Sequence, residues 1–269
     1  MAERTGAGDP LRVIPLLWRR GVKTGRSGLT LEAIVDGAVA LADTTGVDQL
    51  SMRKLAERLG VGAMTLYSHV PGKAELIDLM VDRVFADVTY PAPTTDPGRW
   101  RGGLETVAER NWELLGRHRW LIHVDTARPP LGPGTIAKYD AELQPLVDTG
   151  LTDVQIDQAL TLILEHVRSS ARLAFATAAP PTATAGDGAA DSREASDLEW
   201  WHQAGPVLAG LLDTGDYPYA ARIGNAAGQE YNAPGDPHRA YLFGLQTILD
   251  GIEALIARQR DERDAGQAG

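Results

Sequence analysis

The chain contains no cysteine. Disulfides, thiolate zinc sites and thiol redox sensing are therefore excluded. No apolar run reaches the ~18–20 residues needed to span a bilayer, so no membrane partner is expected. The opening residues lack the basic-then-apolar order and the small-residue cleavage site of a signal peptide, and the expected location is cytoplasmic. No segment alternates with the period of a strand, and there is no internal repeat. Catalytic signatures are missing as well: neither H-E-x-x-H nor G-x-S-x-G occurs. Gly72–Lys73 is followed by Ala74, where a phosphate loop needs a hydroxyl, and no strand precedes it. His69 has no cysteine or paired carboxylate at nucleophile-and-base spacing. No catalytic residue, metal ligand or cofactor is assigned.

A length of 269 residues suits one small domain and one larger one, and 43 % hydrophobic content is enough to build cores for both. The net charge of −10 is unevenly spread. Residues 1–75 hold ten basic and eight acidic side chains, +2, which leaves −12 for the remainder. Between Leu11 and Thr30 lie Arg12, Arg19, Arg20, Lys23 and Arg26 without one acid. Such asymmetry fits a segment that meets a polyanion, and equally a solubilising tail. Residues 1–28 are accordingly read as a basic N-terminal arm.

Helical periodicity runs through the rest. Leu31, Ile34, Val35, Ala38, Leu41 and Ala42 share a face, with Gly46 to close the helix. Ser51 is a good N-cap for SMRKLAERLG, which Gly60 ends. A short helix then fits 63–69, and a fourth amphipathic helix fits 73–88. YPAPTTDPG, residues 90–98, reads as the connector between domains 29–89 and 98–260. Within the second domain, 178–196 is poor in large apolar residues and should be a mobile loop. Residues 213–237 are mostly irregular and 240–260 form a long final helix. Residues 261–269 are expected to be a disordered tail. The fold class is all-α, with a three-helix helix-turn-helix domain ahead of a larger helical one.

A helix stopped by glycine, a tight turn and a short second helix describe a DNA-reading unit, the second helix entering the major groove. Its outward residues are Gly62, Ala63, Met64, Thr65, Tyr67 and His69. Thr65, Tyr67 and His69 reach phosphates or base edges, while Ala63 and Met64 touch thymine methyls. Ser51 and Arg53 open the preceding helix, and Arg53 is placed for guanine. Lys73 and the free N–H groups of its helix offer a phosphate site. A purely structural helical hairpin remains open, although it gives Gly62 and Ala63 nothing to do.

The run LSMRKLAERLGVGAMTLYSHVPGKAEL within residues 29–88 resembles the DNA-binding domain of the TetR family of bacterial repressors. The similarity continues, more patchily, through Trp100, the ARP of 127–129 and YLFGLQTILDGIEALI of 241–256, towards the family's tetracycline-repressor branch. The resemblance implies DNA contacts at Ser51, Arg53, Gly62, Ala63, Met64, Thr65, Tyr67, His69 and Lys73, with Arg19, Arg20, Lys23 and Arg26 entering the minor groove if the arm engages. It also implies a homodimer built from 153–173 and 239–258, with stripes Leu160, Leu164, Val167, Ala171 and Leu242, Leu245, Leu249, Ile252. A small-molecule inducer would meet Val107, Asn111, Trp112, His123, Arg128, Leu164 and Arg168. The branch's metal-binding histidine falls at Val124 or Asp125 and its later glutamate position reads Leu173, so neither magnesium nor tetracycline is carried over. The expected function is a repressor bound to a palindromic operator and released by an inducer such as a polycyclic antibiotic, controlling an exporter or resistance gene. Two other readings stay open: a regulator answering to a protein partner or to no ligand, and an enzyme or carrier using the helical pocket.

Overall fold

The computed structural model describes residues 3–18, 29–91, 97–175, 188–212, 215–233 and 235–267. Among these, helix dominates and the one extended pairing is two residues long. Strand β1 (Glu3–Arg4) lies parallel to β2 (Val124–Asp125), with Glu3 opposite Val124. Helix α1 (Pro10–Leu17) follows, its N-terminus capped by the Asp9 side chain on the Leu11 N–H. Val13 and Leu17 are buried in the main core. Residues 3–17 are thus a docked element, which corrects the basic arm expected over 1–28. The charge count concealed a short amphipathic pattern, LRVIPLL, in which Arg12 faces outward to Asp9 at 3.5 Å. Arg19, Arg20, Lys23 and Arg26 lie outside the described residues.

The head is built from α2 (Leu31–Thr45), α3 (Met52–Leu59), α4 (Ala63–Tyr67) and α5 (Lys73–Ala86). Thr30 and Ser51 start α2 and α3 by accepting the Ala33 and Lys54 N–H groups. Ile34, Ala38, Leu55, Leu66, Leu76, Ile77 and Met80 form its centre. Each large side chain buried there stabilises the fold by about 1.5–3 kcal/mol relative to exposure.

The body contains α6 (Trp100–Arg117), a 3-10 segment over Arg119–His123, α7 (Pro133–Leu143), α8 (Asp153–Phe175), α9 (Gly188–Leu211), α10 (Pro218–Tyr231) and α11 (Pro237–Gln267). Helix α8 lies between α6 and α11. Three stretches of the body are more helical than expected. Residues 188–196 belong to α9, because Ala, Arg and Glu there favour a helix without needing apolar mass; 178–187 lie outside the described residues. Helix α10 occupies much of the glycine-rich stretch read as irregular. The expected tail continues α11 as far as Gln267, with Arg263 bonded back to the Gln259 carbonyl.

The apolar stripes assigned to a dimer are mostly intrachain core. Val167, Ala171, Leu245, Leu249 and Ile252 are buried in one core to which α8 and α11 both contribute within the chain, and Leu160 is buried on α8. What α8 and α11 leave outside is Val154, Leu162, Leu173, Leu242 and Phe243, of which Leu242 belongs to the expected stripes. By length and composition α11 is the one described helix apolar enough to cross a membrane. Its Tyr241, Leu245, Leu249, Ile252 and Ile256 edge is nevertheless buried, and Arg101 binds its Asp250 and Glu253 at 2.6 and 3.3 Å.

Candidate functional site

The turn between α3 and α4 is set by backbone geometry. Gly60 adopts φ 67° and ψ 29°, a left-handed conformation that a side chain would strain. Its N–H reaches the Glu57 carbonyl at 3.3 Å, and the Val61 N–H reaches Ala56 at 3.0 Å, the two bonds of a Schellman motif. Ala56 is buried at the helix crossing and Leu66 anchors α4 beneath its surface. This anchor forces the other side of α4 outward. Met64 is 80 % and Tyr67 46 % exposed, an unusual placement for large apolar residues on a helix of five residues. Gly62 is exposed at the start of α4, while Ala63, Thr65 and His69 are half-buried along it.

The remaining head residues are positioned as follows. Ser51 is occupied as the α3 cap, its hydroxyl 3.2 Å from the Lys54 N–H. Arg53 is exposed and holds Glu57 at 3.0 Å. Exposed pairs of this kind contribute little to stability, so Arg53 is only weakly held by Glu57. Lys73 is engaged within the chain, 2.6 Å from Glu3 and 3.2 Å from the Val47 carbonyl.

Helix α5 joins head to body through carboxylates. Asp82 is buried and accepts from the Thr135 N–H at 2.7 Å, the Thr135 hydroxyl at 2.9 Å and the Gly134 N–H at 3.3 Å. It therefore caps α7 from a neighbouring helix, in place of the missing cap at Gly132. The close approach requires glycine: a Cβ on Gly134 would stand 2.1 Å from the Asp82 backbone oxygen. A second junction lies at Asp43 of α2, whose Oδ1 is 2.8 Å from both His118 Nδ1 and the donating Trp120 Nε1. Trp120 is thus a core residue of the junction, 2 % exposed.

Inside the body, Asn111 and Trp112 look in different directions. Asn111 donates to Glu142 Oε1 at 2.5 Å and to the Val107 carbonyl at 2.9 Å. Tyr90 also donates to Glu142, at 2.5 Å, and Lys138 pairs with it at 2.6 Å. Lys138 lies over the Phe85 ring, 5.0 Å from its centroid. Burial lowers the Lys138 pKa, opposed by the Glu142 charge. Burial, then Glu142, raises that of Tyr90 and keeps its hydroxyl a donor. Trp112 belongs to an aromatic group, stacked on Tyr241 at 4.4 Å and tilted against Phe175 at 5.2 Å, with the His238 ring at 6.0 Å.

Of the other residues assigned to the pocket, Val107 is buried beside Asn111 and Leu164 is half-buried on α8. His123 and Arg128 are exposed. Arg168 is tied down: it donates to Thr126 Oγ1 at 3.1 Å, to the Leu121 carbonyl at 3.2 Å and to the Val124 carbonyl. Burial lowers its pKa. Sequence reasoning missed Tyr90, Lys138, Glu142, Phe175 and Tyr241. Lys138 and Glu142 are four apart, the spacing of an ordinary solvated helix pair, so nothing in the string marks them as buried.

Comparison with known proteins agrees with this geometry. Residues 34–80 match the model for bacterial regulatory proteins of the tetR family, and 92–256 that for the tetracyclin repressor-like C-terminal domain. The chain is 37 % identical to the HTH-type transcriptional repressor DrrR1 of Streptomyces coeruleorubidus over 263 residues, 97 % of this chain and 92 % of that protein. It is 40 % identical to the class D tetracycline repressor protein of Escherichia coli over 107 residues, 39 % of this chain and 45 % of that one. The structure of the TetR family protein ActR of Streptomyces coelicolor in complex with actinorhodin superposes with a TM-score of 0.68 at 26 % identity, covering 84 % of this chain and 96 % of that chain.

Proposed function

The chain belongs to the TetR family of transcriptional repressors, and from that premise we propose that it is a homodimeric, inducer-released repressor of a palindromic operator. The observation that carries the reading is the outward face of α4, where Met64 and Tyr67 stand exposed on a helix fixed by Leu66 and the Gly60 turn. Met64 and Ala63 supply apolar contact for thymine methyls, and Thr65, Tyr67 and His69 supply polar contact to bases or phosphates. Ser51, Arg53, Gly62 and Lys73 complete the DNA surface. Two such heads read half-sites about 34–36 Å apart, which requires a dimer. The exposed Leu162, Leu173, Leu242 and Phe243 of α8 and α11 are the apolar face for that second copy.

For the inducer, the stacked Trp112 and Tyr241 beside Phe175 and His238 favour a flat polycyclic molecule, and the Asn111–Glu142–Lys138 group, which faces another way from α6, is a separate polar candidate in the same body. That ActR is known in complex with actinorhodin supports a ligand of this class. Val107, Leu164, His123, Arg128 and Arg168 are the further candidates for its surroundings. The regulated gene is proposed to be an exporter or resistance determinant, in keeping with the tetracycline repressor relative. Selection from a random duplex pool followed by shift assays tests the reading. An inverted repeat should emerge, bound tightly at moderate salt; binding without sequence preference would refute it. A thermal-shift screen of polycyclic antibiotics should give stabilisation that rises with concentration.

A further inference from the structure

Residues 3–17 contact both the 124–131 loop of the body and helix α5 of the head. On the body side, the Thr5 N–H reaches the Asp125 carbonyl at 2.9 Å, extending the β1–β2 pairing. The Thr5 hydroxyl, fully buried, donates to the Arg128 carbonyl at 2.6 Å. At the far end of the segment, Trp18 Nε1 donates to the Leu131 carbonyl at 2.8 Å. On the head side the bonds among the described residues go to the first two turns of α5. The Gly6 N–H donates to Asp78 Oδ1 at 2.8 Å and the Asp9 N–H to Glu75 Oε1 at 3.4 Å, while Glu3 holds Lys73 at 2.6 Å. Val13 and Leu17 of α1 are buried in the core next to α5.

We infer that residues 3–17 are a strap that fastens connecting helix α5 to the 124–131 loop of the body, so that the body sets the position of the DNA-reading head partly through this segment. The inference rests on the repressor reading above. Its physical basis is that Glu75 and Asp78 are buried acids on a helix that belongs to the head, and their partners are backbone N–H groups of a segment paired with the body. A shift of the 124–131 loop must carry the strap with it or break buried hydrogen bonds, and either outcome changes the restraint on α5. The strap also occupies Lys73 through Glu3, so a phosphate reaching Lys73 competes with the strap. Coupling in this direction is reciprocal: whatever loosens the strap loosens the head.

The absence of native cysteine permits single-site spin labelling. Labels at Arg58→Cys in the head and Asp140→Cys in the body, both exposed, report one intrachain distance when labelled chains are diluted with unlabelled full-length chain. Two variants release the strap: Thr5→Asp, which sets a carboxylate against the Asp125 and Arg128 carbonyls, and deletion of residues 1–7, which removes β1 and keeps α1. The full-length chain should give one narrow distance, and both variants should lose it to a broad distribution while their far-UV spectrum stays helical. On the duplex selected by the full-length chain, both should lose at least about fivefold in affinity, the lower end of usual coupling between sites. An unchanged distance distribution in both variants overturns the strap, even if their melting temperature falls, because the segment would then be packing only. If the full-length chain selects no duplex, the repressor reading falls, and the spin-label distances still decide the strap.

Discussion

Replacing Asp82 by alanine tests how the head is joined to the body. Asp82 is buried and receives three hydrogen bonds from Gly134 and Thr135, at 2.7 to 3.3 Å. The substitution removes the cap of α7 and strands two backbone N–H groups beside buried Gly134. A lost cap costs about 0.5–2 kcal/mol. Each buried donor left without an acceptor costs about 1–3 kcal/mol. The two losses overlap, since the stranded donors are the capped ones, so Asp82→Ala should destabilise the chain by about 2–4 kcal/mol. Asp82→Asn keeps one acceptor oxygen and should cost about half as much. Urea unfolding followed by circular dichroism at one fixed protein concentration measures both, with an unchanged slope showing that the unfolded state is the same. If Asp82→Ala lies within about 1 kcal/mol of the parent, the cap carries no net stability and the reasoning is refuted.

Three further outcomes are expected. Lys138→Met leaves the Glu142 charge buried and should cost about 3–5 kcal/mol, while Lys138→Met with Glu142→Gln should cost far less; additive losses in the double-mutant cycle would contradict the pairing. Gly60→Ala should cost about 1 kcal/mol through strain in the left-handed turn, and Gly60→Asn less; equal stability of all three would argue against the Schellman geometry. Burial raises the pKa of Asp78, opposed by the Gly6 N–H and reinforced by Glu75. Its contribution to stability is therefore full below the unfolded value of about 3.9 and is lost as pH rises through the higher folded value. Asp78→Asn keeps an acceptor for Gly6 and cannot ionise, so its stability relative to the parent should climb from about pH 4 upward; a pH-independent difference would refute this.

The head was legible in the sequence because its signals are local. Ser51, Gly60 and the spacing of Leu55, Ala56 and Leu66 act within a few residues of one another, and the turn they specify needs no distant partner. The exposed set on α4 then follows from the burial of Leu66. The docking of residues 3–17 is not legible for the opposite reason. The segment's basic residues are conspicuous, whereas its pairing with Val124–Asp125 and its bonds to Glu75 and Asp78 depend on chain that is 66 to 121 residues away. The body's apolar stripes are legible as stripes, and most of their residues are covered by the same chain, while Leu242 stays exposed. Periodicity tells which face of α8 and α11 is buried, and it does not tell whether the cover comes from the same chain or another.

Sequence alone determined the helical class, the reading head and the lack of thiol chemistry, since periodicity, capping and composition are properties of short windows. Tertiary structure decided the rest. Lys138 and Glu142 become a buried pair, Asp82 becomes the cap of another helix, and Lys73 is taken up by Glu3. An ionisable group's meaning is set by its distance from water and from partners remote in sequence, and only the folded chain fixes those distances.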